Sequence, residues 1–306
     1  GCYNVMFGLG AGKCGTSGNS RVYIGQGAGE NATGQSKQVF IGYYAGGKNS
    51  GAQNISMGTY ALCGSSTASN NTGGYNIAFG VGAGKGNTSG GCNVFVGSYA
   101  GKQLTTGIRN IFIGKDTACG AAVTGEYNVV LGSCAAKALT SGVNNVILGK
   151  SAACNLAGGG DNITIGDCAG YTLSSGGCNV MIGRHAGYSD DDGTYQVFMG
   201  FMSGRYMQGT SNTAIGPYAL TGSSTPSNNT GNNNIALGKC AGCAVTSGYC
   251  NVYIGVTAGR NTTTGYNNTA LGNAALGTGV VTGCENIALG YEAGCNLTSG
   301  KRNFIV

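Results

Sequence analysis

The chain has 306 residues and a net charge of +6, yet only 8% of its residues are charged; 62 are glycine, 2 proline, 1 histidine and none tryptophan. Glycine at this density without a Gly-X-Y period excludes collagen, and regularly placed aliphatic residues exclude a charge-rich disordered chain. The cations are scattered (Lys13, Arg21, Lys37, Lys48, Lys85), which argues against a nucleic-acid partner, and no apolar run approaches the ~20 residues of a membrane span.

In chain order, the first predicted element is the phrase Asn4-Val5-Met6-Phe7-Gly8, and the rest of the chain repeats it. The closing glycine falls at Gly8, Gly25, Gly42, Gly58, Gly80, Gly97, Gly114, Gly132, Gly149, Gly166, Gly183, Gly200, Gly216, Gly238, Gly255, Gly272 and Gly290, seventeen copies mostly 17 residues apart. Asn303-Phe304-Ile305-Val306 starts an eighteenth. A fixed period of this length signals a solenoid. A step of 16 followed by one of 22 occurs twice, and Gly58 and Gly216 are 158 residues apart, so nine coils form a super-repeat. No linker interrupts the array, so residues 1–306 read as one continuous solenoid, a window of a longer repeat chain.

The residue three before each closing glycine is Val, Ile or Thr, and the residue one before is always apolar. Such alternation describes a short strand, too short for a helix, with β-branched residues suited to a pleated surface. The predicted fold class is therefore all-β, a parallel β-solenoid of about 17 residues per coil and 17 coils. The two flanking aliphatic residues are expected to face the interior. The residue between them then faces outward: Met6, Tyr23, Phe40, Phe95, Phe112, Val130, Ile147, Met181, Phe198 and Tyr253. An outward apolar stripe of that length predicts an assembly face buried against another chain.

The asparagine that enters each strand (Asn4, Asn54, Asn76, Asn93, Asn110, Asn128, Asn162, Asn251) stacks coil on coil, which predicts a hydrogen-bonded ladder at a tight corner. The two 22-residue coils carry nearly the same insert, residues 64–73 and 222–231, and its Ser65, Ser66, Asn70, Asn71, Ser223, Ser224, Asn228 and Asn229 are candidate recognition residues.

Phrases such as Asn212-Thr213-Ala214-Ile215-Gly216-Pro217-Tyr218-Ala219 and Asn268-Thr269-Ala270-Leu271-Gly272 resemble the head repeats of trimeric autotransporter adhesins and the repeats of bacteriophage tail-fibre-like proteins. The resemblance implies a left-handed β-roll, commonly a homotrimer, serving as a fibre or attachment surface.

Fourteen cysteines occur without zinc-type spacing; Cys119 with Cys134, and Cys154 with Cys168, recur in the same relation on adjacent coils and are candidate disulfides, with small buried thiols as the alternative. His185 is the only histidine, Asp190-Asp191-Asp192 the only acidic run, and no phosphate-binding loop appears, so no catalytic residue, metal or cofactor is expected. The expected function is a non-catalytic structural fibre or filament of extracellular or virion-surface type whose partner is itself, as homotrimer or filament. The alternative is an adhesin or tail fibre whose long-coil loops contact a surface glycan or receptor.

Overall fold

A computed structural model describes residues 2–15, 17–33, 36–65, 71–120 and 122–306. The chain divides into two units, Gly1–Gly158 and Gly159–Val306. Each is an all-β parallel solenoid. Among the described residues, the first unit carries nine strands, from β1 (Val5–Phe7) to β9 (Val146–Leu148), and the second nine more, from β10 (Ile163–Ile165) to β18 (Phe304–Ile305). Within each unit every strand pairs in parallel with the next in sequence and in strict register: Val22 lies beside Val39, Tyr23 beside Phe40 and Ile24 beside Ile41. In the second unit Val180, Met181 and Ile182 lie beside Val197, Phe198 and Met199. Equivalent positions of successive coils therefore form columns.

The strand faces are the reverse of the sequence expectation. Tyr23, Phe40, Phe95, Phe112, Val130, Ile147, Met181, Phe198 and Tyr253 are fully buried, and the assembly face assigned to them is instead the core. Met6, in the first coil, stays partly exposed. The flanking residues point outward: Ile111 and Ile113, either side of Phe112, are each 37% exposed. Alternation sorts a strand into two faces without saying which is inside. The deciding factor is volume, because a coil this short admits one strand side chain to its interior.

The residue four after the closing glycine, itself glycine in eleven of the seventeen coils, shows the constraint. A Cβ at Gly46 would sit 2.2 Å from the Phe40 ring, and one at Gly204 would sit 2.5 Å from Phe198. The two columns compensate each other. Phe or Tyr at the strand centre faces glycine or alanine, Val130 and Ile147 face Ala136 and Ala153, and Ser56, Ala214 and Ala270 face Leu62, Leu220 and Leu276. Where both are small, a neighbouring coil fills the space: a Cβ at Gly242 would meet Tyr253 and Leu220. Alanines three after the closing glycine, such as Ala28, Ala100 and Ala258, are fully buried beside them.

Candidate functional site

The asparagine column is a hydrogen-bonded ladder. The backbone N–H of Asn93 donates to Asn76 Oδ1 (2.9 Å), that of Asn110 to Asn93 Oδ1 (2.8 Å) and that of Asn128 to Asn110 Oδ1 (3.0 Å). Each Nδ2 donates in turn to the carbonyl of a turn glycine in the next coil, as Asn110 does to Gly125 (2.9 Å). Asn54 joins through the Asn76 N–H (2.8 Å), Asn162 through the Asn179 N–H (3.1 Å) and Asn251 through the Asn268 N–H (2.9 Å). Asn4 Oδ1, in the exposed first coil, accepts from the Arg21 N–H (3.1 Å).

Beyond the eight asparagines named for the ladder from sequence, the column also contains Asn145, Asn179, Asn212, Asn234, Asn268, Asn286 and Asn303, and Gln196, whose Oε1 accepts from the Asn212 N–H (2.9 Å). These buried amides satisfy one another and the corner backbone, so their role is to hold coils together.

The outward surface has three kinds of feature. First, the two aliphatic columns flanking each strand centre form an uncovered sheet face, with Ile24, Met57, Phe79, Ile111 and Ile113 exposed in the first unit and Ile163, Met199, Ile215, Ile235 and Ile254 in the second. Two such side chains per coil over nine coils expose apolar area on the order of 1,000 Å² per unit, above the ~300–600 Å² of the largest patch on an ordinary monomer.

Second, a cleft of about 290 Å³ lies in the first unit, lined by Glu30, Tyr43, Tyr44, Lys48, Tyr60 and Cys63. Tyr44 and Tyr60 stack with ring centroids 5.8 Å apart, and Lys85 Nζ lies 4.9 Å over Tyr60. The cleft adjoins the first long coil, where the Gly64 N–H donates to the Gly47 carbonyl (3.1 Å).

Third, Asp167, Cys168 and His185 bring one ligand-type atom each within 4.8 Å of one another, the one such group of three among the described residues. Burial first, then Arg205 and Arg184, hold the His185 imidazole below its ordinary pKa, which keeps it neutral at neutral pH. Sequence reasoning missed this group because His185 lies one coil away from the adjacent Asp167 and Cys168.

The candidate recognition residues divide. Asn229 is fully buried, accepting from the Ser223 N–H (2.9 Å) and donating to the carbonyls of Ser223 (2.8 Å) and Tyr206 (3.0 Å). Asn71 does the same for Ser65 (2.9 and 3.2 Å) and Lys48 (3.0 Å). Both tie their loops down and are closed to a ligand, which corrects their assignment as recognition residues. Ser224 and Asn228 are exposed, Asn228 ending a short 3-10 turn at Pro226–Asn228, while Ser65 and Ser223 are half-buried. Ser66 and Asn70 lie outside the described residues.

All fourteen cysteines are thiols, which corrects the proposed disulfides Cys119–Cys134 and Cys154–Cys168. Within the first unit the register explains it. Cys119 stands five after its closing glycine and Cys134 two after its own; the Gly120 N–H donates to Lys137 and the Cys134 N–H to Lys115, so the two cysteines are diagonal rather than stacked. Burial pushes the Cys63 and Cys119 thiols up, and burial and then Cys240 push Cys243 up to about 11, so these thiols stay protonated at neutral pH.

Among the described residues no helix is long and apolar enough to cross a membrane. No protein-family model matches the sequence, and no curated protein matches it.

Proposed function

We propose that this chain is a non-catalytic structural protein that self-assembles through its aliphatic sheet face, as homotrimer or filament, in an extracellular or virion-surface setting. The observation that carries the reading is the pair of outward Val, Ile, Leu and Met columns. They recur along both units, with Thr213 and Thr269 the polar exceptions, and from Val22–Ile24 to Ile287–Leu289 a buried residue lies between them. A second copy presents the same columns at the same strand spacing, so two such faces match in period along their length. The area is close to the ~800 Å² that each partner gives to a standard interface. The resemblance to adhesin heads and tail-fibre repeats points the same way.

Sedimentation and negative-stain imaging test it. The native chain is expected to form a defined oligomer or filament, and the double substitution Ile111→Lys with Ile113→Lys is expected to weaken assembly while the β-type far-UV spectrum persists. A native chain that stays monomeric at tens of micromolar overturns the reading.

A second reading, a fibre that recognises a surface glycan, is favoured by the tyrosine-walled cleft beside the first long coil, since Tyr44 and Tyr60 offer stacking faces and Glu30 and Lys48 polar groups. Glycan-array binding that is lost in Tyr44→Ala supports it; an array without binding retires it.

A further inference from the structure

We propose that Asp167, Cys168 and His185 form a site for zinc, or a divalent cation of the same borderline softness, that clamps two successive coils of the second unit. Their ligand atoms lie within 4.8 Å of one another, and Cys168 Sγ is already 3.7 Å from Asp167 Oδ1. Tetrahedral zinc, with bonds of about 2.0–2.3 Å, sets its ligands roughly 3.3–3.6 Å apart, so closure needs side-chain movement of about an ångström and no backbone change.

The backbone already fixes the donors. Cys168 and His185 hold the same place in successive coils, two after Gly166 and Gly183, and both have left-handed φ values, 53° and 58°. Their Cα–Cβ bonds therefore leave the two coils in parallel. The His185 N–H donates to the Asp167 carbonyl (3.0 Å), which locks the two coils in register beside the site.

The chemistry suits the same ion. His185 Nδ1 is buried with no hydrogen-bond partner, an unsatisfied polar atom on a ring held edge-on to Tyr188 at 5.1 Å. Asp167 Oδ2 lies 3.6 Å from Arg184 Nε, which orients the carboxylate and leaves Oδ1 on the cysteine side. Thiolate, imidazole and carboxylate together select zinc over calcium or magnesium, whose ligands are oxygen alone. Binding replaces the Cys168 S–H bond with a sulfur–metal bond and releases one proton to solvent, and three protein ligands leave a fourth position for water.

Having one histidine makes the test clean. The reduced, chelator-stripped chain, labelled with 15N-histidine, is titrated with zinc and followed by the His185 imidazole signals. Metal taken up by the other thirteen cysteines does not contribute to that readout. One equivalent of zinc is expected to replace the free imidazole signals with a bound set. Cys168→Ser and Asp167→Asn, each checked for an unchanged far-UV spectrum, are expected to weaken binding at least tenfold. Imidazole signals that ignore excess zinc overturn the proposal. So does an unchanged zinc affinity in whichever of the two variants folds.

Discussion

The interior predicts a compensated pair of substitutions at Phe198 and Gly204. Phe198 is fully buried, and truncating it to alanine removes a core ring at a cost of about 3–5 kcal/mol. Gly204→Leu alone places its Cβ 2.5 Å from the Phe198 ring carbons, which costs on the order of 3 kcal/mol of overpacking, with about 1 kcal/mol more for a left-handed non-glycine residue. Combined, the two reproduce the next coil, where Ala214 faces Leu220, and Leu220 itself has a φ of 45°. The double variant is therefore expected to lose only about 2 kcal/mol, giving a coupling of roughly 5 kcal/mol or more, above the usual range for touching residues. Denaturant midpoints of the four proteins, read by far-UV circular dichroism, measure the cycle. Losses that add to within about 0.5 kcal/mol refute the volume argument. If the strand-centre column faced outward, Phe198→Ala would leave the midpoint in place and change association alone.

Two further perturbations address polar interior groups. Burial pushes the Asp190 carboxyl up to about 8, against the Gly193 N–H that donates to Oδ1 (3.0 Å), so between the unfolded value of about 4 and about 8 the folded chain holds a proton that the unfolded chain has released. Stability is then full below pH ~4 and falls by up to ~1.4 kcal/mol per pH unit toward pH 8, whereas Asp190→Asn flattens the profile; a native profile flat or rising over that window refutes the assignment. In the ladder, Asn110→Ala strands the Asn128 N–H and the Gly125 carbonyl, at an expected cost of roughly 3 kcal/mol in the urea midpoint, while Asn110→Gln costs about 1 kcal/mol because glutamine already serves at Gln196. An alanine variant within about 0.5 kcal/mol of the native chain argues that the ladder is dispensable.

Period, strand position and parallel register were legible because each depends on spacing alone: an aliphatic pair and a glycine recurring every coil leave no other regular structure. The inside of the coil was read the wrong way round, although a signal between columns bears on it. Phe40 with Gly46, Ile147 with Ala153 and Ala270 with Leu276 keep the summed volume nearly constant, which only packed neighbours need to do. Alternation within one strand carries no such information, so the choice between Val94 and Phe95 as core could not be made from the phrase by itself. Asn71 and Asn229 looked like loop decoration because their partners, Lys48 and Tyr206, are 23 residues away. The Asp167, Cys168 and His185 group is invisible to any search by short spacing, since a solenoid turns a separation of one coil into side-by-side contact.

That conversion bears on where function can reside. The strand centre, the buried alanine, the compensating glycine or leucine and the asparagine are each constrained by the coils above and below, so a change there propagates through the stack. The two positions after the closing glycine are not: they hold Tyr43 and Tyr44 in one coil, Lys115 and Asp116 in another, Asp167 and Cys168 in a third. Their backbone is the same throughout, as the left-handed φ of Tyr44, Asp116 and Cys168 shows, so the fold presents unlike side chains from one repeated geometry. Both the tyrosine cleft and the cation site lie on this column. The aliphatic face, by contrast, keeps its character on all but the Thr213 and Thr269 coils although it stays partly open to solvent, Ile111 and Ile113 each being 37% exposed. Near-uniformity on a surface that the fold leaves partly open is the physical reason to propose self-association there and selective chemistry at the corner.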